Sequence, residues 1–243
     1  MINIDEKYVF HVHTSRCGHA SYVADEAYIK RAIELGADSI TFTDHAPFPG
    51  DPFTGRMKYC QLKEYISSLK QLKERYAGTI NIFIGLEIEY LPFFKTYYEE
   101  LKANENIDVL MIGQHHYQCG IGIYGATYNY EIPGHMFADH IGLCDAMIEG
   151  MDTGLFDIVA HPDRVFKNYS VWNDMFAAIS CKVIRKAVEK NIYLEKNYSS
   201  MRKENLYRPD FWKLVPKSAK IIYGCDAHSV DELVTVPASK KWR

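Results

Sequence analysis

No apolar run in this chain is long enough to cross a bilayer. No C-x-x-C pair occurs among its six cysteines (Cys17, Cys60, Cys119, Cys144, Cys181 and Cys225), and their spacing is irregular. Reduced thiols suit that pattern better than a disulfide framework. Neither sign of charge dominates: 28 basic against 31 acidic side chains give a net charge of -3, which argues against a nucleic-acid scaffold bound through bulk charge. There is no Pro/Ser-rich linker and no low-complexity tract. The opening MINIDEKYVF lacks the basic-then-apolar order of a secretory signal. These absences lead to the expectation of a cytoplasmic enzyme without membrane or nucleic-acid partners, built as one domain over residues 1–243.

What is present is alternation. Apolar, β-branched or aromatic runs fall near Tyr8–Val12, Ser39–Thr43, Ile80–Leu86, Val109–Ile112, Phe156–Ala160, Ile192–Leu194 and Lys220–Tyr223. Helical patterns lie between them, beginning for example at Ala24, Tyr59, Met136 and Asp174. Gly36, Gly78 and Gly154 each stand where a helix should stop. Seven β-α units predict parallel strands joined by crossover helices. A closed seven-stranded barrel, an α/β fold of distorted TIM-like type, is preferred to an open doubly wound sheet. The reason is that polar clusters end almost every run, and strand C-termini converge on one mouth in a barrel.

Those clusters are rich in metal-ligand residue types. His11 and His13 are two apart in a strand and so share a face, as do Asp226 and His228. His19 follows in a polar loop, while His45, Glu87, His116 and His161 end later runs. Spacing leaves two choices open, His115 or His116 and Glu87 or Glu89. Nine donors are too many for one four-coordinate ion, so two or three ions are expected. Imidazoles and carboxylates without thiolate suit Zn, Mn or Fe. Cys17 reads as a loop residue, Cys225 should point away from Asp226, and His135 and His140 read as structural.

A cluster of divalent ions that two carboxylates offset only in part attracts a phosphate dianion. It also acidifies water and clamps the oxygens of an in-line displacement. Phosphate-ester hydrolysis is the reaction that fits, with Glu87, Asp226 and His228 in the catalytic set and a small phosphorylated substrate. Arg164, three residues after His161, and Arg202, in the loop after the sixth run, are placed to grip phosphoryl oxygens.

The segments HVHTSRCGHASYVADEAYIKRAIELGADSITFTDHAPF, GLEIEYLP, GLFDIVAHPDR and IIYGCDAHS resemble the PHP (polymerase and histidinol phosphatase) domain family, in its histidinol-phosphatase branch. The resemblance implies a (β/α)7 barrel holding three divalent ions. Its ligands would be His11, His13, His19, His45, Glu87, His116, His161, Asp226 and His228. It implies His116 over His115 through a G-x-x-H pattern, and Glu87 over Glu89, with Glu87 bridging two ions. It also implies substrate contact by Arg202, through an Asn-x-x-x-x-Arg segment from Asn197.

One loop departs from the pattern. YQCGIGIYGATYNYEIPG replaces a Trp/Phe-Asp segment, and its Tyr124, Tyr128, Asn129, Tyr130 and Glu131 are candidates to meet an imidazole leaving group. L-histidinol phosphate is the expected substrate, with another small phosphate ester or a nucleotide as the alternative. An amidohydrolase barrel would carry a mid-barrel bridging Lys where this chain offers His116. A non-catalytic metal-binding or polymerase-associated module would release no phosphate.

Overall fold

The computed structural model describes residues 6–126, 136–167, 169, 171–203 and 206–236. In chain order the strands and helices are β1 (Tyr8–Val12), α1 (Asp25–Glu34), β2 (Ser39–His45), α2 (Leu62–Arg75), β3 (Asn81–Ile88), α3 (Lys95–Ala103) and β4 (Val109–Ile112). Then come β5 (His116–Gly120), β6 (Ile123–Ala126), α4 (Met136–Asp152), β7 (Ile158–Val159), α5 (Asp174–Lys190), β8 (Tyr193–Asn197), α6 (Tyr198–Arg202), α7 (Pro209–Lys213) and β9 (Ile221–Gly224).

Seven strands form one sheet in the order β1-β2-β3-β4-β7-β8-β9. The chain leaving β9 bonds back to β1: Cys225 N donates to Phe10 O (2.8 Å) and Ala227 N to His11 O (3.0 Å). The fold is a distorted (β/α)7 TIM-like barrel, as the alternation predicts. No helix among the described residues is long and apolar enough to cross a membrane.

The chain divides into two compact units. The first comprises Met1–Glu87, Asn104–Leu110 and Tyr223–Arg243, the second Ile88–Ala103 and Met111–Ile222. In the first, β1 is buried at every position. Helix α2 buries Tyr65, Leu69 and Leu72, the i, i+4, i+7 stripe its sequence predicts. Gly36 and Gly78 take φ of 72° and 79°, the left-handed conformation that ends α1 and α2. β2 and β3 pair in register from Ser39↔Asn81 to His45↔Glu87, which sets His45 beside Glu87.

In the second unit, β4 pairs with β7 and β7 with β8, all parallel. Asn173 caps α5 by accepting from Phe176 N at 2.9 Å. His140 is buried against Phe166, Tyr169 and Phe176, a packing role that agrees with its structural reading.

After β4 the structure departs from the expected long loop. β5 and β6 form an antiparallel hairpin pairing His116 with Ala126, and Tyr117 donates to Asp139 of α4 at 2.9 Å. Period-2 patterning is weak in this polar, glycine-containing stretch, which is why the hairpin escapes a sequence reading. Of the leaving-group candidates, Tyr124 lies in β6, while Tyr128, Asn129, Tyr130 and Glu131 lie outside the described residues, as does His135.

Candidate metal centre

The first unit gathers seven of the nine expected ligands. His11 Nε2 lies 3.3 Å from Glu87 Oε2 and 3.7 Å from Asp226 Oδ1. His13 Nε2 lies 3.5 Å from the same Glu87 oxygen and 3.2 Å from the same Asp226 oxygen. His45 Nδ1 is 3.1 Å from Glu87 Oε2, and His228 Nδ1 is 3.6 Å from Asp226 Oδ1. The His228 ring stacks on His13 at 4.2 Å and on His19 at 4.6 Å. Exposed His19 turns its Nδ1 to Cys17 O at 3.1 Å, so its other nitrogen is the one left for a ligand role.

Backbone strain accompanies this convergence. His11 and Asp226 adopt φ of 67° and 50°, and in the second unit His161 adopts 28°. Non-glycine residues pay roughly 1–3 kcal/mol for such conformations, which persist where the surroundings demand them. At His11 the strain coincides with a register shift between Val9 and Val12 in the pairing with β2. A bulge, rather than simple alternation, therefore aims His11 and His13 into one cluster.

The donor set fits metal ions. His13 Nδ1 and Nε2 and His228 Nε2 are buried with no hydrogen-bond partner among the described residues, a costly arrangement that coordination relieves. Burial, then the neighbouring His13, pushes the His228 value down to about 3, so its imidazole is neutral and offers a lone pair. Burial also acts to lower His13, but the Asp226 and Asp44 carboxylates outweigh it and raise the value to about 9. Binding a cation at His13 therefore displaces a proton. Donor atoms of His13, His45 and His228 lie within 4.8 Å of one another, and so do those of His11, His13 and Asp226.

Cys17 Sγ forms a similar group with His19 and His228. Burial pushes its thiol up to about 11, so without a cation it stays protonated. Cys225 faces the other way, its sulfur 3.1 Å from Val234 O.

The second unit holds the remaining candidates. His161, 4% exposed, donates its backbone N–H to Glu195 Oε2 at 3.0 Å. The His115 ring lies 5.2 Å from the His161 ring, centroid to centroid. His116 opens β5, and its Nδ1 (3.1 Å) and that of His115 (3.4 Å) both lie near Glu89 Oε1. The cause is local. His115 N donates to Gly113 O in a tight turn, and the Gln114 side chain ties itself to Tyr90 N and O, so strand alternation stops before the two histidines.

Arg164 donates to Ser200 Oγ (2.7 and 3.0 Å) and Asn197 Oδ1 (2.8 Å), and it lines a cleft with His115 and His161. Asn197 also caps α6, accepting from Ser200 N at 2.9 Å. Arg202 is the last residue of that helix rather than a loop residue. It is exposed, with its guanidinium 4.6 Å over the Tyr198 ring.

The family model described as the PHP domain matches residues 10–199. The chain belongs to the PHP domain family. Two curated relatives cover most of it. The "Probable histidinol-phosphatase" of Deinococcus radiodurans is 29% identical, over 92% of this chain and 86% of the relative. The "Histidinol-phosphatase" of Bacillus subtilis is 26% identical, over 92% and 94%.

Two solved structures share the fold. One, from Listeria monocytogenes and assigned to the histidinol phosphatases, matches with a TM-score of 0.75 at 18% identity, covering 93% of this chain and 96% of that one. The other is histidinol phosphate phosphatase from Lactococcus lactis, complexed with zinc, L-histidinol and phosphate. It matches with a TM-score of 0.65 at 21% identity, covering 93% and 87%.

Three residues of this PHP chain escape a sequence reading. Asp44, wholly buried beside His13, is hidden by its adjacency to His45, although the Asp-His pair in FTDHAP is the signal. Glu195, also fully buried, supports His161 and Asn197 from inside β8. Lys167 lines the cleft with Arg164.

Proposed function

We propose that this chain is a metal-dependent phosphomonoesterase that hydrolyses L-histidinol phosphate to L-histidinol and inorganic phosphate, using three divalent ions drawn from Zn, Mn and Fe. The observation that carries the reading is the buried cluster of imidazoles around Glu87 and Asp226, whose nitrogens lie at ligand spacing and in part lack hydrogen bonds. The two relatives named as histidinol-phosphatases support the choice of substrate.

Ions held there would act as Lewis acids and acidify water near neutral pH. Glu87 and Asp226 each present one oxygen to two or more imidazoles, the placement a bridging carboxylate needs. His228, neutral by burial, binds a cation without first losing a proton. Arg164, already braced by Ser200 and Asn197, loses little side-chain entropy when its guanidinium meets phosphoryl oxygens. The six free cysteines suit a reducing cytoplasm.

The test is elemental analysis of purified protein combined with hydrolysis assays. Histidinol phosphate should exceed p-nitrophenyl phosphate in kcat/KM by at least about tenfold, roughly 1.4 kcal/mol of selective transition-state binding. Equal values would remove the substrate assignment and keep the phosphatase. Absence of both metal and phosphate release would remove the phosphatase as well.

A further inference from the structure

The cleft of the second unit is lined by Gln114, His115, Met147, His161, Arg164 and Lys167, together with Ala160 and Val165. Among the described residues its lining carries Arg164 and Lys167 and no carboxylate. We propose that Lys167 is a second cationic anchor in this cleft, gripping the phosphoryl oxygens of the substrate beside Arg164, an inference that rests on the phosphomonoesterase reading above.

The two cations are coupled by the backbone. Arg164 opens a single turn of 3-10 helix ending at Phe166, and Lys167 N donates to Arg164 O at 3.1 Å. Residues three apart on such a turn eclipse, so the Arg164 and Lys167 side chains leave it on the same side and line the same cleft. Lys167 is half-buried. Burial, then the Arg164 charge, holds its ammonium below the usual lysine value. Two like charges that line one cleft both draw a dianion into it.

The pair also divides the work chemically. A braced, planar guanidinium offers directed donors, whereas an ammonium on a flexible stem supplies a point charge that follows the phosphoryl group. Arg202 presents a different setting, exposed and stacked on Tyr198.

The experiment compares wild type with Lys167→Met, Lys167→Gln and Lys167→Arg. It reads calorimetric binding of inorganic phosphate, kcat/KM on histidinol phosphate and on p-nitrophenyl phosphate, metal content and circular dichroism. The neutral variants should weaken phosphate binding and lower kcat/KM on both esters, each by roughly tenfold or more, the scale of one lost charge-assisted contact. Metal content and dichroism should not change, and Lys167→Arg should recover most of the loss.

Unaltered phosphate affinity would overturn the proposal. So would a loss confined to one ester, because that would place Lys167 on the leaving group. A drop in metal content would make its role structural and overturn the proposal too. If wild type hydrolyses neither ester, the phosphatase reading fails, and the inorganic phosphate titration still decides whether Lys167 anchors the anion.

Discussion

Asp44 holds its Oδ1 3.6 Å from His13 Nδ1, with neither residue exposed to solvent. Its Oδ2 accepts from Thr14 N at 3.2 Å and from the Thr14 hydroxyl, and Thr14 Oγ1 in turn accepts from Arg16 at 3.0 Å. The carboxylate is therefore fixed before any cation arrives. Its charge lies on the Nδ1 side of the imidazole, while Nε2 is turned toward Glu87 and Asp226. Asp44→Asn should lower metal affinity by roughly 10–100-fold, the usual scale for losing such an outer partner. Chelator competition measures it, and an unchanged affinity would show that the Asp44 charge does not tune His13.

Glu87 Oε2 is within 3.5 Å of nitrogens from His11, His13 and His45. A carboxylate so placed holds more than one donor group in register, and its charge attracts a cation to them. Glu87→Gln should reduce metal content and kcat/KM together, with activity falling about tenfold or more. A variant that keeps the full metal complement and full activity would assign the bridging role to another group.

Gly85 precedes that carboxylate by two residues on β3, where space decides its identity. A Cβ there would stand 3.0 Å from both Phe42 O and Val109 O and 3.1 Å from Thr43 Cγ2. Two of these neighbours are backbone carbonyls of adjoining strands and cannot rotate away. Gly85→Ala should therefore destabilise the fold by about 1–3 kcal/mol, the usual cost of overpacking. Urea unfolding of metal-free protein gives the value. A shift below about 0.5 kcal/mol, the ordinary range for a neutral substitution, would mean that the strands move apart without penalty.

The sequence makes the strand ends legible because parallel β-α units announce themselves through periodicity and a buried strand ending in His or Glu is chemically odd. Glu87 and His45 fall side by side because the β2–β3 register is continuous to their end. Legibility stops where the chain leaves regular structure. His115 and His116 cannot be ordered by alternation, because a turn at Gly113 and the Gln114 anchor intervene. Asp44 and Glu195 are invisible for a different reason: a buried carboxylate is recognised by its partners, Thr14 and His13 in one case and His161 N in the other. Those partners are 30 or more residues away in the chain.

Asp163 gives the clearest pH signature. Its side chain is fully buried, and burial raises its value from the ordinary 3.8 to about 6, against the opposing bond from Arg208 N at 2.7 Å. The folded value lies above the unfolded one, so the folded state binds the proton more tightly. Below about pH 4 the group is neutral in both states and costs nothing. As pH rises toward 6 the unfolded chain ionises first, and stability is lost by an amount on the order of 3 kcal/mol, reached above pH 6. Asp163→Asn keeps an oxygen to accept from Arg208 N and cannot ionise. In metal-free protein the variant should therefore gain on wild type between pH 4 and pH 6 and hold that advantage above. Urea midpoints across this range measure the difference, and a gap that does not change with pH would show that Asp163 ionises in the folded chain without penalty.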